Sequence, residues 1–168
     1  GAAMLELLGS ALIAAGGALA WYRQRAERRR RQDTLADFQR ALRRMSEGIR
    51  LARTPLPELL GALAEDCGGE AAGFLTAASR AARQGEDLPR AWREEAEALT
   101  LEARDRAVLS ALGGDLQGDE EKVCKALSQA AYELAKSAEE TEQKRPEREK
   151  QAMALWFSSA ALLVILLV

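Results

Sequence analysis

The sequence predicts an all-α protein: a six-helix cytoplasmic bundle flanked by an N-terminal and a C-terminal transmembrane helix. Three observations carry that prediction. Both ends of the 168-residue chain are long apolar runs, and the interior repeats apolar residues at helical spacing. No stretch alternates apolar and polar residues as a strand would, and β-branched residues are scarce.

Residues 4–22, "MLELLGSALIAAGGALAWY", are apolar except for Glu6 and form the first expected span. As a helix they cover about 29 Å, against a hydrocarbon core of about 30 Å. Met4 reads as the native start, and Glu6, two residues on, reaches the headgroups. Ser10, Ala14 and Ala18 recur every four residues, a candidate face for close helix packing. Small residues are also common throughout membrane helices, so this stripe has a plain alternative reading.

Directly after the span stand Trp21 and Tyr22, then six Arg between Arg23 and Arg31, including Arg28, Arg29, Arg30 and Arg31. Aromatics favour the membrane–water interface, and Arg close to a span is retained in the cytoplasm. A secretory signal carries its positive charge before the apolar core, whereas here it follows. The alternative, cleavage after "ALA" at 18–20 and export from Trp21 onward, is therefore disfavoured. A nucleic-acid arm would need base-reading side chains on its basic face, and attraction to anionic lipid headgroups is the simpler reading.

From Thr34 a stripe of Leu35, Phe38, Leu42, Met45 and Ile49 continues the first span as one amphipathic helix. Pro55 and Pro57 should end it near Thr54 and open a second helix, which runs to about Asp66 and stops at Gly68–Gly69. The third, "EAAGFLTAASRAARQ", is capped by Gly85. The fourth starts with Asp87 as N-cap and Pro89 in its first turn. A fifth begins near Leu101, carries Val108, Leu109 and Leu112, and should stop at Gly113–Gly114. The sixth starts near Asp119, keeps its stripe through Val123, Leu127, Ala130, Leu134 and Ala138, and bends at Pro146. It leads into the second span, residues 152–168, whose last seven residues are apolar on every face. The basic block "KRPEREK" before that span agrees with the first one: residues 23–151 inside, both termini outside.

The formal charge of −2 conceals a pattern. Residues 23–53 hold eleven Arg against four acids, and residues 54–143 hold nine basic residues against nineteen acids. A basic collar beside the membrane thus precedes an acidic body. There is no His, and Cys67 and Cys124 belong to no CxxC pair, so no metal site and no redox motif is indicated. The cysteines read as small core residues of a reducing compartment. The carboxylate pairs Glu65/Asp66, Glu86/Asp87 and Asp119/Glu120 fall at helix ends, where acids cap and solvate rather than catalyse. "LGGDLQGDEEK" lacks the Lys-Ser or Lys-Thr that a phosphate loop needs. No enzyme, cofactor, nucleic-acid ligand or small-molecule substrate is expected.

The ordered set "MLELLGSALIAAGGALA", the Arg-rich helix, "TPLPELL", "RQGEDLPRAW", "DRAVLSALGGDL" and the closing "LLVILLV" resembles the stage III sporulation protein AB family over essentially the whole chain. More distantly, the middle resembles the cytoplasmic helical domain of type II secretion and type IV pilus platform proteins. The resemblance implies a place in the mother-cell membrane facing the forespore, in a channel built with other stage III proteins. It also implies a cytoplasmic secretion-type ATPase as partner. Many members carry a Gly-x-Ser-Asp turn followed by Gln, where this chain has "QGDEEKVC" with Gln117, Asp119, Glu120 and Cys124. The expected role is a non-enzymatic platform, with Asp66, Glu86, Asp87, Asp119 and Glu120 as candidate partner contacts. The alternative is a membrane-anchored helical scaffold or regulator unrelated to secretion.

Overall fold

The structure, a computed structural model, describes the backbone of residues 1–167 and the side chains of residues 1–141 and 154–167. Among the described residues every regular element is helical: α1 (Ala2–Glu47), a π-helical segment (Gly48–Ala52), α2 (Leu56–Asp66), α3 (Gly69–Arg83), α4 (Leu88–Glu97), α5 (Ala103–Asp115) and α6 (Glu120–Leu167). The bend expected at Pro146 and the basic block around it lie outside the described side chains.

Local chemistry accounts for each break. α1 does not fray before the prolines but widens into the π-helical segment. That segment closes with Arg53 in the left-handed region at φ 49°, its N–H on the Gly48 carbonyl. A non-glycine residue there costs about 1–2 kcal/mol. α3 ends in a Schellman motif: Gly85 adopts φ 69°, and the Glu86 N–H donates to the Ala81 carbonyl at 3.0 Å.

Asp87 stands at the N-cap of α4 with Pro89 in the first turn, as expected, although its carboxylate makes no capping hydrogen bond. A cap side chain addresses the N–H groups of the second and third helical residues, and the second is Pro89, which has none. One expectation needs correction: Gly113 and Gly114 do not stop α5, and the helix runs through them to Asp115. Gly113 is a packing residue, since a Cβ there would lie 3.0 Å from Trp92 Cδ1 and 3.2 Å from the Pro89 carbonyl oxygen. Its bare backbone lets α4 and α5 approach closely.

The chain divides into two compact units, residues 31–139 and residues 1–30 with 140–168. In the first, the expected stripes form the core: Leu35, Phe38, Leu42 and Met45 of α1 and Val123, Leu127, Ala130 and Leu134 of α6 are buried. An aromatic ladder crosses it. Phe38 of α1 meets Phe74 of α3 edge-on at 5.2 Å, and Phe74 meets Trp92 of α4 edge-on at 4.6 Å. Trp92 is fully buried and donates its indole N–H to the Leu109 carbonyl of α5 at 2.8 Å. Four helices are thereby tied through one file of rings.

Three contacts gather the even-handed ends of this unit. Ser79 Oγ, near the end of α3, donates to the Pro57 carbonyl in the first turn of α2 at 2.9 Å. The Cys124 thiol, at the start of α6, points at the Ser46 carbonyl near the end of α1 at 3.6 Å. Gly113 near the end of α5 abuts Pro89 at the start of α4. The α1–α2, α3–α4 and α5–α6 connections therefore share one end of the body. At the other end Glu70 of α3 accepts the Thr100 hydroxyl at 2.8 Å, joining the α2–α3 and α4–α5 connections.

Residues 1–30 and 154–167 behave oppositely. Their Leu, Ile and Val side chains are exposed. α1 with its π-helical continuation is, by length and composition, long and apolar enough to cross a membrane. The described part of the second apolar segment, Ala154–Leu167, covers about 21 Å and is too short for that by itself.

Candidate functional site: the acidic end and the aromatic cleft

Two surfaces qualify as sites, one in each unit. At the acidic end, Glu86 and Asp87 fill the α3–α4 connection, while Asp119 and Glu120 open α6 with the Asp119 carbonyl accepting the Val123 N–H at 2.9 Å. All four are exposed. The connections that hold them share an end with the π-helical segment, whose Leu51 is 80% exposed. Asp66 stands apart, at the α2–α3 connection of the opposite end. There its carboxylate accepts a hydrogen bond from Arg44 of α1 at 3.0 Å. The structure thus groups four of the five candidate contacts and separates the fifth.

At the edge of the first apolar segment, Trp156 lays its indole directly on Gly17, where no Cβ would fit. Phe157 stands edge-on to Trp156 at 5.2 Å. A cleft of about 330 Å³ opens between them and Ala18, Trp21 and Gln24. The Arg25 guanidinium lies over the Trp21 ring, 5.1 Å from its centroid. Arg28 is half-buried, whereas Arg29, Arg30 and Arg31 are exposed. Of the small-residue stripe, Ser10 and Ala14 are exposed and Ala18 borders the cleft.

The body holds one buried carboxylate. Asp105 in the first turn of α5 is buried, and among the described residues its Oδ1 has no hydrogen-bond partner. Burial pushes its carboxyl above the ordinary range; a hydrogen bond with Ser137 of α6 opposes this, Glu102 adds to it and Arg104 opposes it. Sequence inspection missed this residue although a signal was present. Asp105, Leu109, Leu112 and Leu116 share the helical stripe, so an acid occupied a core position. Cys67 is half-buried and Cys124 buried, and neither is bonded to another Cys. Burial, and then the neighbouring Asp37, hold the Cys67 thiol up, which disfavours the reactive thiolate. Among the described residues no cluster of Cys, Asp and Glu could hold a metal ion.

Comparison with known proteins gives the setting of these surfaces. A family model described as stage III sporulation protein AB matches residues 6–168. The chain belongs to the stage III sporulation protein AB family. A solved structure titled "Stage III sporulation protein AB (SpoIIIAB)" is similar in fold, with a TM-score of 0.63 over 68% of this chain and 95% of that one, at 22% sequence identity. No curated protein matches. In this member of the stage III sporulation protein AB family, Gln117 and Asp119 lie in the turn before α6 and Glu120 opens the helix, all three exposed.

Proposed function

We propose that this family member is a non-enzymatic membrane platform of a sporulation channel between mother cell and forespore, coupling a cytoplasmic secretion-type ATPase to other stage III proteins. The observation that carries the reading is the form of α1 and α6. Each leaves a well-packed helical body and continues, with no intervening loop, into an apolar segment. A body held in this way serves to position partners. Both termini lie outside, and residues 23–151 lie in the mother-cell cytoplasm, held there by the Arg run 23–31.

The acidic end is the ATPase-facing surface in this reading. Exposed Leu51, with Arg50 and Arg53 beside it in the chain, shares this end with exposed Glu86, Asp87, Asp119 and Glu120, so an apolar side chain and charged groups are both open to a partner. Full-length protein in nanodiscs should capture the ATPase from sporulating cells. Reversing Glu86, Asp87, Asp119 and Glu120 together to Lys should abolish capture and sporulation, while Asp66→Lys at the other end should leave both intact. Unchanged capture by the fourfold variant would remove the acidic end from the proposal. A phosphatase reporter at the C-terminus should be active on the outer side; an inactive, cytoplasmic reporter would overturn the topology.

A further inference from the structure

The aromatic cleft of residues 1–30 and 154–167 has a composition that general membrane packing leaves unexplained. Gly17, Trp21, Gln24 and Arg28 follow one another at steps of four, three and four, so they share one face of α1. That face is apolar at Gly17 and Trp21, polar at Gln24 and cationic at Arg28, with Arg25 alongside. Trp156 and Phe157 wall its apolar end. The change from apolar to cationic takes about 16 Å along the helix, comparable to the depth over which a lipid passes from acyl chain to headgroup.

We infer that this cleft is a binding site for one anionic phospholipid, an acyl chain lying between Trp21, Trp156 and Phe157 and the phosphate held by Arg25 and Arg28. The inference rests on the reading that both apolar segments lie in the membrane. Charge complementarity selects the occupant. The cleft of about 330 Å³ is lined by the rings of Trp21, Trp156 and Phe157, and the Arg25 guanidinium lies over one of them, Trp21, with Arg28 further along the same helix. A guanidinium presents several N–H donors in a planar fork that fits phosphate oxygens, and a ring face on one side of Arg25 leaves its in-plane donors available. Arg28 is half-buried on this face, whereas Arg29, Arg30 and Arg31 are exposed. Glu27, the acid of this stretch, is set about 100° around the helix from Arg28 and does not share the face. Zwitterionic lipid would offer the phosphate with a compensating cation and fit less well.

Two of the three tryptophans flank the cleft, which makes the site readable by fluorescence. The full chain is placed in phosphatidylcholine vesicles containing a minor fraction of phosphatidylglycerol with brominated acyl chains, which quench Trp on contact. Quenching of Trp21 and Trp156 should exceed the random-mixing value several-fold. The same fraction of brominated phosphatidylcholine should give only the random value. Gly17→Leu, which forces Trp156 off α1 and removes that wall of the cleft, and the Arg25→Gln/Arg28→Gln pair, which leaves Arg29–Arg31 to hold orientation, should each abolish the excess. Equal quenching by the two lipids, in protein that stays in the vesicles through alkaline carbonate, overturns the site. An excess that survives Gly17→Leu while that variant loses crosslinking between copies assigns the cleft to a protein helix and overturns it equally. Failure of the wild-type chain to enter vesicles at all overturns the membrane reading beneath it.

Discussion

Leu12 and Leu42 sit on the same helix, yet one is 71% exposed and the other 1%. The first belongs to the unit of residues 1–30 and 140–168, the second to the body of residues 31–139. α1 therefore changes its surroundings along its length with no break in its backbone. In the body, apolar side chains meet each other, and burying one Leu is worth about 1.5–3 kcal/mol. In the other unit they face outward as a continuous apolar surface, which calls for lipid or a partner helix to cover it. The body's fold is an internal matter, whereas the apolar unit is completed by its solvent.

The most severe way to break this contrast is at the ring file. Trp92→Ala removes a fully buried side chain, its edge contact with Phe74 and its hydrogen bond to Leu109. A loss of about 3–5 kcal/mol is expected in denaturant unfolding of the body. Leu12→Ala, in the same detergent, should leave that transition within about 0.5 kcal/mol, as expected away from the core. Equal effects would mean that the body draws its stability from the apolar unit.

A finer comparison uses two glycines of similar helical position. Gly113→Val puts new atoms against Trp92 and the Pro89 backbone and should cost about 1–3 kcal/mol by overpacking. Gly73 in α3 has nothing within 4 Å of an added Cβ, so Gly73→Ala should stabilise by about 0.5–1 kcal/mol. Thermal unfolding of the two variants should move in opposite directions. If both destabilise, Gly113 does not mark the close approach of α4 and α5.

Much of this was legible in the residues. Pro55, Pro57, Gly85 and Pro89 are read directly, because each acts on its own backbone: a missing N–H or a positive φ ends or opens a helix wherever it occurs. The stripes of α1 and α6 are equally local, since spacing alone puts Leu35, Phe38, Leu42 and Met45 on one side. Gly113 misled because glycine has two uses, ending a helix and admitting a neighbour, and only the position of Trp92 distinguishes them. The Gly17–Trp156 contact was not legible because it joins residues far apart in sequence. The grouping of Glu86, Asp87, Asp119 and Glu120 away from Asp66 depended likewise on how the helices fold back.

The buried carboxylate gives a smaller effect, visible as a function of pH. Asp105 holds its proton more tightly in the folded body than in the unfolded chain. Below about pH 4, where both states are protonated, its burial carries no charge penalty. As pH rises from there through the raised folded value, the unfolded chain gives up its proton first and stability declines; above that value it levels off. Asp105→Asn should flatten this slope and be at least as stable as the wild type at neutral pH. A variant that kept the slope would move its origin to another acid.

The smallest effect belongs to the surface pair that joins α1 to the α2–α3 connection. Arg44 and Asp66 are each more than half exposed, so water and salt screen their attraction. Arg44→Ala should cost no more than about 1 kcal/mol, and the cost should shrink in high salt. That modesty separates structure from function at this end of the body. If Asp66→Ala left unfolding almost unchanged but weakened capture of a partner, Asp66 would join the binding surface despite lying opposite the acidic end. Should it alter neither, Asp66 leaves the candidate surface, and the Arg44–Asp66 pair is only a weak tether between two helices.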